Sequence, residues 1–147
     1  MATQPLPAAS SRPAIGGYSH VNIVVTDLAA AHEFYIDKLG FEVLPRPDFG
    51  GFSGEWYRVG DLQLHLSVAE EMPDWKRGFP HLALHVPADR FEETIELLKS
   101  RDVPFVMDTM QREDFGVPVR AAFCKDPDGN VVELTDVGPL DRLEAIA

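Results

Sequence analysis

Residues 20–25 read HVNIVV, and residues 81–85 read HLALH. Each stretch opens on a histidine and alternates apolar with other residues, the period of a β-strand. On the first, His20, Asn22 and Val24 share one face, and Val21, Ile23 and Val25 share the other. The segments downstream of the two stretches are also alike. After the first strand, Thr26 or Asp27 can cap a helix whose apolar positions Leu28, Ala31, Tyr35 and Leu39 recur at helical spacing, and Gly40 ends it. Three strand-like segments come next: FEVLPRP (41–47), GEWYRVG (54–60) and DLQLHLSV (61–68). After the second histidine strand, Asp89 and Glu92 have the spacing of a capping box, Phe91, Ile95 and Leu98 make an apolar helical stripe, and VPFVM (103–107), VPVRAAFC (117–124) and NVVELT (130–135) read as strands. The tetrapeptide DPDG (126–129) before the last is a turn, because Asp, Pro and Gly each favour a particular turn position.

The chain therefore spells strand, helix, strand, strand, strand twice, with the two histidines 61 residues apart. An internal repeat of this kind is a statement about architecture. It predicts an α+β fold of two tandem βαβββ modules, about 17–70 and 79–137, forming a curved sheet around a central cleft with the helices outside. Residues 1–16, rich in Pro, Ala and Ser, are expected to be a flexible arm, and 138–147 a tail or short helix. The linking segment AEEMPDWKRGFP (69–80), with Trp75, is a connector or a lid.

If apolar strand faces lie under the helices, the opposite faces line the cleft. Those faces carry His20 and Asn22; Gln63, His65 and Ser67; His81 and His85; and Glu133 and Thr135. A sheet that merely rests on solvent would more often show Lys, Glu and Thr. Imidazoles with a carboxylate suit a divalent metal that keeps an open coordination position. His20, His65, His81 and Glu133 are the candidate ligands; the plain alternative is that they hydrogen-bond one another. Gln63 shares a face with His65, so alternation leaves that position open. Imidazole is the better ligand for zinc, nickel or iron and favours His65. His85 is a candidate cleft residue or outer partner. Arg120 has the chemistry to grip a substrate carboxylate in two hydrogen bonds, or to pair with an acid such as Glu133. Trp56, Tyr57 and Phe52 suit either an aromatic pocket wall or core packing. Cys124, beside Phe123, reads as a small buried residue.

HVNIVVTDLAAAHEFYIDKLGFEVL, GDLQLHL, PHLALHV and DPDGNVVEL together resemble the vicinal oxygen chelate superfamily, the group of glyoxalase I, bleomycin resistance proteins and extradiol dioxygenases. The resemblance covers residues about 17 to 137. It implies a metal held by residues of the first, fourth, fifth and eighth strands, which here are His20, His65 or Gln63, His81 and Glu133. It also implies a small oxygenated substrate whose oxygen the metal binds, stabilising an enolate- or alkoxide-like intermediate. Glu133, in the glyoxalase-like branch, would be the carboxylate that takes a proton, and a homodimer is expected, in some members with sites shared between subunits. Zinc, nickel, manganese and iron all suit such ligands. A metal-free protein that sequesters a small molecule, of the bleomycin-resistance type, is the alternative, and the acidity of the chain fits a cationic ligand. Fosfomycin-modifying relatives carry clustered basic groups for a phosphonate, which this acidic chain does not suggest.

The formal net charge is -11, which repels phosphate backbones and anionic lipid and argues against nucleic acid or membrane partners. One cysteine leaves no intrachain disulfide, as expected of a cytoplasmic protein. No apolar run approaches the roughly 20 residues that cross a bilayer.

Overall fold

The computed structural model describes residues 13–14, 18–74, 79–113 and 118–138. The expected arm, Trp75 and the expected C-terminal helix lie wholly or mostly outside these residues. The two modules are present as read. The first comprises β1 (His20–Val25), α1 (Leu28–His32) running on as a π-helix (Glu33–Lys38), β2 (Glu42–Leu44), β3 (Gly54–Val59) and β4 (Leu62–Val68). The second comprises β5 (His81–His85), a 3-10 turn (Ala88–Arg90), α2 (Phe91–Ser100), β6 (Phe105–Arg112), β7 (Val119–Lys125) and β8 (Val131–Thr135). Each module makes one four-stranded sheet, ordered β1-β4-β3-β2 and β5-β8-β7-β6. The histidine strand is thus an edge strand in both. It pairs in parallel with the last strand of its module: His20 lies opposite Gln63 and Asn22 opposite His65, while His81 lies opposite Val131 and Ala83 opposite Glu133.

Local signals account for most boundaries. Asp27 caps α1, its carboxylate accepting from the Ala30 N–H at 3.0 Å. Gly40 ends the helical segment at φ +80°, a left-handed conformation that glycine adopts without a Cβ penalty. The expected capping box does not form. The 3-10 turn intervenes, Arg90 precedes α2, and no side chain caps that end. The π-helix was also not legible. It buries both Phe34 and Tyr35, of which the expected stripe named only Tyr35. β2 is shorter than its sequence suggested, three residues ending at Leu44 before the Pro45–Pro47 stretch.

One apolar core runs through both modules. Val25, Tyr57, Leu64 and Leu66 of the first sheet and Ala122, Cys124, Val132 and Leu134 of the second meet Phe34, Tyr35, Phe91, Ile95 and Leu98 of the helices. Polar contacts lock the modules at the turn between β7 and β8, and Arg101 adds another by donating to the Lys38 carbonyl at 2.7 Å. Tyr35 donates its hydroxyl to Asp126 at 2.9 Å. The Thr26 N–H and hydroxyl both donate to Asp128. Asn130 donates its side-chain amide to the Val24 carbonyl at 2.9 Å.

Asp126 is the hub of this lock. Its carboxylate also accepts from the Asp128 and Asn130 N–H groups and from the Asn130 amide. Burial pushes its pKa upward, against the pull of those hydrogen bonds. Burial and the neighbouring carboxylate push Tyr35 far above the ordinary phenol range, so it stays a donor.

Candidate metal and substrate site

The four candidate ligands form two pairs. On the first sheet, the His20 and His65 rings stack 4.0 Å apart at 16°. Trp56 stacks on the other face of His65 at 4.1 Å and 5°. His65 is 9% exposed, and its Nε2 lies 2.8 Å from the Gln63 amide oxygen. Burial first, then the neighbouring His20 and Arg46, lower the His65 pKa, so the ring is held neutral, as a ligand must be. His20 is exposed, with Ser19 Oγ 3.0 Å from its Nδ1.

On the second sheet, His81 Nε2 stands 3.1 Å from Glu133 Oε2. His81 Nδ1 lies 2.7 Å from the Phe79 carbonyl. A carbonyl has no proton to give, so Nδ1–H is the donor. That fixes the ring and turns Nε2 toward a carboxylate that is itself only 8% exposed. Two lone pairs at this distance repel. A shared proton, or a cation bound by both, must sit between them. A carbonyl holding the far nitrogen of an imidazole is the usual outer support of a metal-binding histidine.

The pairs do not merge within one chain. Among the described residues no group of three or more His, Cys, Asp or Glu is placed to hold a metal. The module lock gives the reason. Asn130, next to the residue opposite His81, binds Val24, and Val24 is four residues along β1 from His20. At about 3.3 Å per residue, His20 lies roughly 13 Å beyond that contact.

The remaining candidates separate. Trp56, half-buried, joins the first pair and lines a recess of about 470 Å³ with Asn22, Arg46, Phe49, Phe52 and Ser67. Tyr57, by contrast, is fully buried in the core. His85 stands at the other end of β5 from His81, again roughly 13 Å away. It lines a larger groove between the modules, about 1110 Å³, with Leu62, Leu98 and Thr135.

Arg120 alternates with Ala122 and Cys124, which face the core, whereas Phe123 packs on His81. The guanidinium therefore lies on the opposite side of the sheet from Glu133. It donates to Asp136 at 2.8 Å and to the Ala88 carbonyl at 2.6 Å, and it covers the Phe91 ring. To grip a substrate there it would have to abandon Asp136. Its geometry is that of the ion pair, the other reading the sequence allowed. Cys124 is buried, as expected, and burial pushes its thiol up to about 11. Arg46 is the residue that sequence reasoning missed. It sits between Pro45 and Pro47 at the end of a segment read only as a strand, and folding carries it to the wall beside His65.

Two four-stranded sheets of βαβββ order, with imidazoles and a carboxylate on the faces opposite the core, define a chelate-fold protein. The model of the Glyoxalase/Bleomycin resistance protein/Dioxygenase superfamily matches residues 17–134, and the chain belongs to that family. Metallothiol transferase FosB of Staphylococcus epidermidis is 26% identical over 132 residues, covering 88% of this chain and 89% of the relative. FosB of Staphylococcus haemolyticus is 25% identical over the same shares. Among solved structures, a glyoxalase family protein from Bacillus anthracis is 25% identical with a TM-score of 0.67, covering 84% of this chain and 97% of that one. The fosfomycin resistance protein FosX of Listeria monocytogenes shares the fold at 20% identity, with a TM-score of 0.72 over 88% and 98% of the two chains. A mutant of that FosX has also been solved with Mn(II) and 1S,2S-dihydroxypropylphosphonic acid. Among the described residues, no helix is long and apolar enough to cross a membrane.

Proposed function

We propose that this protein is a metal-dependent enzyme acting on a small oxygenated molecule, with its metal held between two copies of the chain. His20, with His65 or Gln63 beside it, comes from one copy, and His81 and Glu133 come from the other. The observation that carries the reading is the His81–Glu133 pair. Its ring is fixed by the Phe79 carbonyl, and its Nε2 and a carboxylate oxygen are 3.1 Å apart with a place for a cation between. The donor set fits zinc, nickel, manganese or ferrous iron. The metallothiol transferase relatives, and the Mn(II) bound to FosX, support a divalent ion.

When bound, the ion supplies Lewis-acid polarisation of a substrate oxygen. The chain supplies the rest. Phe79 holds the His81 ring in one tautomer. The Glu133 carboxylate, nearly withdrawn from solvent, is the group at which a substrate proton can be held. Trp56 and His65, stacked face to face, shield one another's rings from water on one side of the cleft.

Mixing two inactive variants tests the shared site. His20→Ala and His81→Ala should each lose stoichiometric metal. Heterodimers formed by unfolding and refolding the two together should regain one intact site per dimer, read as metal content by atomic emission. Wild-type protein that purifies without metal and takes none up from zinc, nickel, manganese or ferrous solutions would refute the metal reading. Mixed variants that never regain metal, although the wild type binds it, would refute the sharing.

A further inference from the structure

The recess beside the first imidazole pair has a composition that the metal reading does not account for. Arg46 lines it, in a chain with 24 acidic residues. Among the described residues none of those acids pairs with it. Its Nη2 donates to the Phe52 carbonyl at 2.8 Å and its guanidinium covers the Phe49 ring at 4.8 Å. Its Nε is buried and without a hydrogen-bond acceptor. An unmet buried donor costs stability, so this cation is poorly explained as a structural brace. The packing around it is tight: a Cβ on Gly54 would come within 3.3 Å of that Nε. The Arg46 side chain therefore packs directly on the β3 backbone at Gly54.

The walls are as unusual as the cation. Phe52 is 76% exposed and Phe49 49% exposed, and Trp56 lines the recess with them. Clustered exposed aromatics mark a surface that something covers. The two small polar groups in the recess, Ser67 and Asn22, hydrogen-bond one another at 2.9 Å and can turn to a ligand. The volume suits a small molecule rather than a peptide.

We infer that this recess is the substrate's carbon-frame subsite and that it takes a planar organic carboxylate, an arene or conjugated system with one carboxylate. Its ring would lie against Trp56 and Phe52, and its carboxylate would meet Arg46. One guanidinium presents a fork that matches one carboxylate, whereas a doubly charged phosphonate asks for more than a single cation. This rests on the metal reading only in that His65 lines the recess and His20 stacks on His65, which would place the ion beside the bound acid.

Benzoate is the probe. In calorimetric titration of the full chain as purified, benzoate should bind saturably. Benzamide, cyclohexanecarboxylate and phenylphosphonate should each bind more weakly. Arg46→Gln should weaken benzoate about 10- to 100-fold, the loss expected for a charge-assisted pair. Phe52→Ala, at an exposed position that the fold does not need, should weaken it about threefold or more, with the melting curve unchanged. No saturable binding up to about 10 mM, a dissociation constant already weaker than a useful site, would overturn the inference. So would equal binding by the folded Arg46→Gln protein, or tighter binding of phenylphosphonate. The same titration after chelator treatment separates the two readings. Benzoate binding by a protein that never takes up metal would sink the metal reading alone. Metal uptake without benzoate binding would sink this one alone.

Discussion

Removing one oxygen atom should measure how firmly the two modules are locked. Tyr35 is fully buried, and its hydroxyl donates to Asp126 at 2.9 Å across the module boundary. Tyr35→Phe leaves the ring packing against Phe41 and Tyr57 in place and deletes only the donor. A hydrogen bond to a charged acceptor contributes about 1.5–3 kcal/mol. Asp126 keeps three other hydrogen bonds, which places the loss near the lower end, about 2 kcal/mol. For a chain of this length that lowers the melting temperature by roughly 4–8 °C. Urea denaturation at fixed protein concentration should show a lower midpoint with an unchanged slope.

The pH dependence comes from the raised pKa of Asp126. A carboxyl that binds its proton more readily folded than unfolded favours folding while protonated. That advantage is lost as pH rises from the unfolded value through the folded one. Tyr35 opposes the rise, so its loss should cost more at pH 8 than at pH 4. A change below about 0.5 kcal/mol, or a penalty that grows toward acid, would refute the lock. In a double-mutant cycle, Asp126→Asn should be coupled to Tyr35→Phe by about 1 kcal/mol or more.

Three further outcomes are expected. Arg120→Met strands the Asp136 carboxylate, whose side chain is 9% exposed. It should destabilise the chain by roughly 2–3 kcal/mol in urea, with metal uptake unchanged; unchanged stability would return Arg120 to substrate binding. Gly54→Ala puts a Cβ 2.2 Å from the Leu66 carbonyl oxygen. Circular dichroism should show a poorly folded chain or a loss above about 3 kcal/mol, and a wild-type melt would show that β3 and β4 separate easily. Cys124, its thiol pushed up to about 11, should resist a chromogenic disulfide at pH 8 in the folded protein. It should react fully once denaturant is added, and rapid native reaction would mean that the core around β7 opens.

The fold was legible because it is written twice. Alternation in HVNIVV and HLALH, Gly40 after the first helix, and DPDG before β8 each name a local structure, and their recurrence names the architecture. What escaped was set by tertiary packing. No residue of Glu33–Lys38 announces the π-helix. The capping box failed because Ala88–Arg90 tightens into a 3-10 turn ahead of α2. For the site, alternation placed His20, His65, His81 and Glu133 on the faces opposite the core as one candidate set, which the structure divides into two pairs. It carries no information on where a second strand lies 61 residues away, so the separation of the pairs could not be read. Arg46 was invisible for the same reason: its neighbours in sequence are prolines, and its neighbours in space are rings from other strands.

Both histidine strands border their sheets, each with one row of backbone groups that its own sheet leaves open. An unsatisfied strand border invites another strand. If chemistry and assembly are served by the same two borders, they cannot be tuned apart. A substitution on β1 or β5 that adjusts reactivity also adjusts who docks there. A newly made chain waiting for its counterpart would be most prone to clump just where it is most useful, so slow synthesis and prompt pairing should matter more to its yield than the firmness of its interior.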